Sequence, residues 1–305
     1  MQKIRITMLI FAILLSLIFT SGCWNYKEVD QFAIVAGVAI DKGMKEQFLM
    51  TVEIIQISGG KDSKTTSKIV AAEGKTMFDA ARNIISLTGK RLYWSHSKVI
   101  IISKEIASEG LIKVIDWYNR DSETREDVNI LISEDASAKE IFKGQVATEN
   151  IISLALGEMI KNHVSLNKAP ITDMLMFDMN EQTKSKTAVI PTVILKQVDG
   201  KIMPHIMGTA IIKEDKLVGF LNGEETKDLL FIRNEIKGGI LIEEMKSKKE
   251  STFVSLEIFN SKTKVTPVVN GKDIQINLET KTTVAIDEIG GKENFIDEEG
   301  QKKLE

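Results

Sequence analysis

Few residues of this sequence could carry out catalysis, and their spacing matches none of the common catalytic motifs. Ser95-His96-Ser97 places hydroxyl groups beside an imidazole, the two groups that a nucleophile and its base require. Neighbouring side chains of an extended segment point to opposite faces, so we predict no nucleophile–base contact and a structural role for His96. Glu224-Glu225 is interpreted as a carboxylate pair at a helix N-terminus, where the helix dipole favours it. The sequence has no G-x-S-x-G elbow, P-loop, H-E-x-x-H zinc motif or dinucleotide fingerprint, so we predict that the chain is not an enzyme.

Composition limits metal, redox and nucleic-acid chemistry further. One cysteine cannot form an internal disulfide or a cysteine-based zinc or iron–sulfur site, and three histidines offer few other ligands. The acidic run 297–299 is interpreted as a solvated helix start, and we predict no metal. Hydrophobic residues make up 43% and charged residues 27%, which is typical of a folded protein, and the net charge of -3 argues against a nucleic-acid partner.

The lone cysteine, Cys23, has the sequence context of a lipidation site. The apolar run 8–19 before it is shorter than the roughly 20 residues of a membrane span and is typical of a signal peptide. We predict a signal peptide over 1–22, with signal peptidase cleaving between Gly22 and Cys23. The only cofactor expected is covalent lipid on Cys23, a diacylglyceryl group with a further acyl chain such as palmitate, which anchors the chain outside a membrane. Thr20, where an aliphatic residue is usual, leaves open a free cysteine after an ordinary signal peptide.

Aromatic residues are sparse, at 6%, but two pairs are adjacent in sequence and lie near arginines. Tyr93-Trp94 flanks a predicted strand and Trp117-Tyr118 ends a predicted helix, which favours core packing between sheet and helix. Because Trp, Tyr and Arg dominate the energetics of protein interfaces, a partner-binding site is the alternative. The residues assigned to partner contact or core packing are Tyr93, Trp94, His96, Trp117, Tyr118 and Arg120. Ion pairs of Arg120 with Asp121 and of Glu123 with Arg125 are predicted to hold the following loop.

The elements that must position these residues alternate between strands and helices. Apolar runs and alternation predict strands over 29–40, 48–57, 69–72, 99–102 and 128–132, with 99–102 buried on both faces. Apolar residues at helical spacing predict helices over 76–87, 106–119, 137–143, 149–162 and 172–179. Thr76 is expected to cap the first helix, Gly89 to end it, and Gly110 to bend the second. This order indicates an α+β fold with helices packed on mixed sheets.

The C-terminal part is predicted to be rich in antiparallel strands. Pro191 makes 189–198 an expected edge strand, and the turn at Asp199-Gly200 is the expected domain boundary. Beyond it we predict a hairpin of 208–213 with 217–221 and a helix over 223–234. Three further strands are predicted over 252–259, 264–269 and 274–284. Turns at 260-261 and 270-271 join them, and the second turn is predicted to be of type I′. The predicted organisation is the signal peptide, a domain over 23–198 with a subdomain break near 135–145, and a domain over 199–305. That last domain is expected to be incomplete, because 297–305 begins a helix without an apolar face.

Several segments together resemble one known family. They are GCWNYKEV at 22–29, AIV at 33–35, IDK at 40–42, GKT at 74–76, DAAR at 79–82, RLYWSHSK at 91–98, WYNRD at 117–121, GTAI at 208–211, KLVG at 216–219 and ET at 225-226. In this order along the chain they resemble the Ger(x)C family, the C-subunit lipoproteins of spore germinant receptors. Thr20, Asn25 (where the family often has Asp) and the short C-terminus depart from its pattern.

The resemblance implies a multi-domain α+β lipoprotein without an active site. Such a subunit acts with a multispanning A subunit and a membrane B subunit in a receptor that senses nutrients and triggers spore germination. The resemblance places the chain on the outer face of the spore inner membrane, held by lipid at Cys23, where it scaffolds or couples the membrane subunits. The alternative is a solute-binding lipoprotein that captures a small nutrient directly.

Overall fold

A computed structural model describes residues 2–19, 28–57, 65–135, 137–246 and 251–290. Within these residues the chain is α+β, as predicted, with one nine-stranded mixed sheet and one three-stranded antiparallel sheet. The predicted cleavage and lipidation positions, Gly22 and Cys23, lie outside the described residues, and so does the predicted helix start at 297–305.

The large sheet contains β1 (Phe32–Lys42), β2 (Phe48–Ile57), β3 (Thr65–Gly74), β4 (Arg91–Tyr93), β5 (Val99–Ser103), β6 (Asn129–Ser133), β7 (Thr187–Val198), β8 (Lys201–Lys213) and β9 (Lys216–Leu221). The small sheet contains β10 (Ile240–Lys246), β11 (Ser251–Asn270) and β12 (Asp273–Ile289). The helices are α1 (Gln2–Phe19), α2 (Met77–Thr88), α3 (Lys104–Glu109), α4 (Ile112–Arg120), α5 (Ile152–Asn162), α6 (Met174–Glu181) and α7 (Gly223–Ile232). None of the helices in the described ranges has both the length and the apolar character that a bilayer span requires.

The large sheet has the strand order β3-β2-β1-β5-β6-β7-β8-β9, and β4 pairs with the start of β1. Strands β1, β5, β6 and β7 run parallel, whereas β2, β3, β8 and β9 are added as antiparallel hairpins. Every residue of β5 is buried, which confirms the prediction from its β-branched run. Ile100 and Ile102 join the larger core cluster with residues of α2, α3, α4 and α6, while Val99 and Ile101 face a second cluster with α5.

Helix α2 follows its local sequence signals closely. The side chain of Thr76 accepts a hydrogen bond from the Asp79 N–H at 3.1 Å, and the Asp79 carboxylate accepts one from the Lys75 N–H at 2.8 Å. Gly89 ends the helix with a φ of +68°, a backbone conformation that glycine adopts without steric cost. The predicted cap, helix and stop are all confirmed.

The single bent helix predicted over 106–119 is wrong, because the chain forms two helices there, α3 and α4. Gly110 separates them with a φ of +136°, which no continuous helix accommodates. The Leu111 N–H donates to the backbone oxygen of Asp215 at 2.8 Å, so the β8–β9 turn holds the break. The segment predicted as a helix over 137–143 is instead a 3-10 helix, Ala138–Lys143.

The prediction that Pro191 marks an edge strand is also wrong. Strand β7 lies inside the sheet, between β6 and β8. Its parallel pairing with β6 involves only Thr192 and Val193, and its ladder with β8 is irregular between Pro191 and Val193. Pro191 therefore lies before the residues that pair with β6, and its missing N–H does not weaken that ladder. This is why the interior strand tolerates a proline. Asp199 and Gly200 form the turn between β7 and β8, and both strands belong to the large sheet.

The C-terminal strands differ from their predicted boundaries. Residues predicted as two strands with a turn at 260-261 form one strand, β11, with a register shift between Ile258 and Asn260. A bulge keeps the strand continuous where a turn was expected. The second predicted turn exists, but its two loop residues are Gly271 and Lys272, and only Gly271 has a positive φ, of +63°. That pattern fits a type II′ turn and not the predicted type I′.

Candidate functional site

Two tryptophans from separate elements meet on the face of the sheet that carries α2 and α4. Trp94, which follows β4, is buried, and Trp117 lies on the last turns of α4. Their rings meet edge to face, with 5.3 Å between centroids and an interplanar angle of 85°. Tyr118 adds a second edge contact to Trp117, at 5.8 Å. The structure therefore brings Trp94, Trp117 and Tyr118 together in one cluster, while the Tyr93 ring packs against Phe32 and His96.

A cavity of about 500 Å³ opens beside this cluster, between α2, β4 and the C-terminal end of α4. We call it the tryptophan groove. Its lining includes two tryptophans, a phenylalanine and three arginines: Phe78, Arg82, Arg91, Trp94, Trp117 and Arg120. Of the predicted set, Tyr118 is buried in the core, and Trp94, Trp117 and Arg120 line the groove. Tyr93 and His96 belong to neither group.

The three arginines of the tryptophan groove have different surroundings. Arg82 lies over the Phe78 ring, with its guanidinium carbon 4.7 Å from the centroid. Arg120 pairs with Asp116, one helical turn earlier, at 2.8 Å, and this hydrogen bond lowers the pKa of the Asp116 carboxyl. The guanidinium group of Arg91 has no hydrogen-bond or ion-pair partner among the described residues. The groove thus presents one guanidinium group over an aromatic ring, with two further arginines and the acidic residues Asp121 and Glu123 in its lining. Its arginines suit an anionic or aromatic partner group.

The predicted local ion pairs are wrong in their partners. Arg120 bonds Asp116 rather than Asp121, because residues four apart on a helix are neighbours. Arg125 forms a bidentate ion pair with Asp127, with two hydrogen bonds of 2.7 Å, and not with Glu123. The loop after α4 is held instead by Thr124, whose hydroxyl donates to the backbone oxygens of Tyr118 and Asp121.

His96 does not form a catalytic pair with either neighbouring serine. The prediction of an extended segment is wrong, because residues 94–97 form a turn in which the Ser97 N–H donates to the Trp94 backbone oxygen at 2.8 Å. The Ser95 hydroxyl donates to the backbone oxygen of Glu123 at 2.7 Å, and the exposed His96 ring packs against Tyr93 at 5.8 Å. His96 and Tyr93 therefore lie on the outer surface near β1, away from the two tryptophans.

Three buried polar groups near the groove have no hydrogen-bond partner in the described part of the chain. They are the Tyr118 hydroxyl, the Ser97 hydroxyl and the Trp117 Nε1. Burial raises the pKa of the Tyr118 phenol, so the hydroxyl stays protonated under any physiological condition. We assign these groups to the core, where they cost stability.

Two buried carboxylates that the sequence analysis missed cap helices across the sheet. Glu53 on β2 is 1% exposed and accepts hydrogen bonds from the Ile152 N–H, the Ser153 N–H and the Ser153 hydroxyl at 2.6–3.0 Å, and one from the Ser67 hydroxyl at 2.7 Å. Asp41 on β1 accepts from the Ala138 and Lys139 N–H groups, and burial raises its pKa. In the sequence, the signal for both residues is an acidic residue within an otherwise apolar predicted strand. Both carboxylates accept backbone N–H groups from the first turn of a helix, so they position helices on the sheet.

The predicted helix-capping role of Glu224-Glu225 is confirmed. The Asn222 side-chain oxygen accepts hydrogen bonds from the backbone N–H groups of both residues, and the Glu225 carboxylate accepts one from the Asn222 N–H at 2.8 Å. Glu224 pairs with Lys168 at 2.6 Å and Lys227 at 2.7 Å, and these hydrogen bonds lower its pKa to about 2. Across the residues that the structure describes, no group of His, Cys, Asp and Glu side chains could hold a metal ion.

Comparisons with known proteins point to a single family. The model of the spore germination protein N-terminal domain matches residues 25–195, and that of the spore germination B3/GerAC-like C-terminal domain matches 207–305. Spore germination protein B3 of Bacillus subtilis (strain 168) is 26% identical, covering 90% of this chain and 73% of the relative. Spore germination protein GerQC of Bacillus cereus is 22% identical, covering 94% and 78%. A solved structure, the crystal structure of the GerBC protein, is similar with a TM-score of 0.42 and 23% identity, covering 82% of this chain and 72% of that one.

Proposed function

The chain belongs to the GerAC family of spore germination proteins, the Ger(x)C family, and from this we propose that it is the lipid-anchored C subunit of a spore germinant receptor. The observation that carries the proposal is the match of both family models, in order, along one chain. The subunit is non-catalytic in this proposal and couples membrane A and B subunits on the outer face of the spore inner membrane.

The chemistry of the described residues supports a binding role over a catalytic one. Among the described residues His96 forms no hydrogen bond with Ser95 or Ser97, and the buried carboxylates Glu53 and Asp41 accept backbone N–H groups of the helices that they cap. The tryptophan groove combines the residue types that dominate interfaces, and Arg82 and Arg91 are exposed there without acidic partners among the described residues. We propose that a segment of a membrane subunit seats in this groove.

Lipidation at Cys23 is the second part of the proposal. The position follows an apolar run and small residues, and two or more acyl chains give stable anchoring where one chain is marginal. Anchoring would hold the folded part close to the membrane subunits and raise their effective concentration around the groove.

The test uses spores in which this gene carries Cys23→Ala, Arg82→Glu or a full deletion. We expect all three to lose the nutrient response while a nutrient-independent trigger still works. We also expect Arg82→Glu to reduce co-purification of the membrane subunits, while Lys201→Glu, an exposed charge change on the β7–β8 turn, leaves it unchanged. A normal nutrient response after deletion, in a strain without a substituting subunit, would refute the proposal.

The volume of the groove supports a second candidate, direct capture of a small nutrient. A cavity of about 500 Å³ lies in the usual range of small-molecule sites, and its arginines suit a carboxylate. This candidate predicts a rise in melting temperature with a nutrient, and Arg82→Glu should abolish the rise. No shift across a panel of amino acids, sugars and nucleosides would exclude it.

A further inference from the structure

The end of the large sheet where β1 begins has an exposed apolar surface with basic residues. Phe32 opens β1, and the antiparallel pairing of β1 with β2 brings the last residue of β2, Ile57, to the same end. Helix α2 ends there as well, at Leu87 and Thr88, before Arg91 of β4 pairs with Phe32. We call this end, defined by Phe32, Ile57, Lys68, Leu87 and Lys90, the basal surface.

Apolar side chains stand out into solvent on the basal surface. Ile57 is 71% exposed and Leu87 is 64% exposed, although both belong to regular elements. A groove of about 600 Å³ runs between them, with Phe32 in its lining. The Phe32 ring is half-buried and packs against Tyr93, whereas Ile57 and Leu87 keep these exposed fractions with every described residue in place.

The charges of the basal surface have one sign within the groove. Lys68 and Lys90 are its only charged lining residues, and neither forms an ion pair with a described residue. The whole chain has a net charge of -3, so this basic groove differs from the chain average. Two carboxylates, Glu28 and Asp30, lie in the segment that leads into β1. Exposed apolar groups between lysines match the interface of a bilayer with anionic headgroups.

We propose that the basal surface rests on an anionic phospholipid bilayer. The inference relies on the lipid anchor of the proposed function: Phe32 follows Cys23 by nine positions, so the tether reaches at most about 30 Å. Phe32, Ile57 and Leu87 would then enter the interface, and Lys68 and Lys90 would contact lipid phosphates. The tryptophan groove, which shares Arg91 with this end of the sheet, would open next to the membrane, within reach of membrane-embedded subunits.

The experiment uses the full chain, lipidated and incorporated into vesicles. Because Cys23 is the only cysteine and its thiol carries lipid, a cysteine introduced by Leu87→Cys is the single free thiol and accepts an environment-sensitive fluorophore. The matched control is Met44→Cys, at the opposite end of the β1–β2 hairpin and 93% exposed. A lipid carrying a nitroxide quencher reports the proximity of each probe to the bilayer.

We expect quenching of the probe at 87 but not at 44, in vesicles with phosphatidylglycerol and less so in phosphatidylcholine alone. Lys68→Gln with Lys90→Gln should remove the phosphatidylglycerol-dependent part. Lys196→Gln with Lys201→Gln should not, because these lysines flank the β7–β8 turn, at the opposite end of the parallel strands. Equal quenching at both positions, or no effect of phosphatidylglycerol, would overturn the inference. Mass spectrometry of Cys23 distinguishes failure of the proposed function from failure of this inference. An unmodified cysteine would refute the lipid anchor of the proposed function, whereas a lipidated chain without quenching at 87 would refute only this inference.

Discussion

Replacing Glu53 by glutamine should cause a large loss of stability, although the two side chains have nearly the same shape. One carboxylate oxygen accepts the Ile152 N–H at 3.0 Å, and the other accepts the Ser153 N–H at 2.7 Å. An amide keeps only one of these acceptors and turns an NH₂ group towards the other backbone donor. One buried N–H is therefore left unpaired in either orientation, at about 1–3 kcal/mol, and the remaining bonds lose their charge. We expect Glu53→Gln to lower the free energy of unfolding by about 2–4 kcal/mol.

Urea denaturation of the full chain, followed by tryptophan fluorescence, measures this loss. The matched control is Glu73→Gln. Glu73 on β3 likewise accepts backbone N–H groups, three of them, from residues 44–46 of the more exposed β1–β2 loop. Water can replace an exposed acceptor, so the control should lose much less stability. The Ser153→Ala variant adds a double-mutant cycle, in which the two changes should be strongly non-additive.

A loss below about 1 kcal/mol for Glu53→Gln would refute the argument that this carboxylate holds α5 to the sheet. An equal loss for Glu73→Gln would also contradict it, because burial would then not be the deciding factor.

Three other changes test separate parts of the structure. Gly110→Ala should lower the melting temperature, because φ is +136° and a Cβ would lie 2.6 Å from the Asp215 carboxylate, whereas Gly219→Ala, with nothing within 4 Å, should not. The pKa of Glu224 is lowered from 4.5 to about 2, so its ion pairs stabilise the fold fully above about pH 4.5 and lose this contribution as the pH falls towards 2. Urea titration at each pH measures this dependence, and the Glu224→Gln variant should lack it. Tyr118→Phe should leave stability unchanged or raise it by up to about 1 kcal/mol in the same assay, and a clear loss would reveal a hydrogen bond to its hydroxyl.

The parts of the fold that were predicted correctly have local causes. Helix α2 begins at Thr76 and ends at Gly89 because the groups that satisfy its first and last turns are only a few residues away. The burial of β5 follows from its uninterrupted β-branched run, and the motifs that resembled one family identified it correctly. The lipid anchor at Cys23 stays a prediction from the same kind of local pattern.

The incorrect predictions concern features that depend on distant neighbours. Pro191 is tolerated inside the sheet because β6 pairs only with residues that follow it, and no local pattern encodes how far a partner strand extends. Strand β11 continues through 260-261 because β12 pairs with it across a bulge. The break at Gly110 is supported by Asp215, more than a hundred residues later.

Short-range patterns are enough to predict the α+β class, the first core strands, the capped helix α2 and the family. Which candidate residues form a site depends on contacts between distant segments, and these exist only in the folded chain. Trp94 and Trp117 meet because β4 pairs with β1 while α4 packs beside α2, which places the two side chains 5.3 Å apart and leaves Arg91 exposed at the rim. Glu53 caps α5 through a hydrogen bond to a residue about 100 positions away, and such a bond forms only when the chain folds.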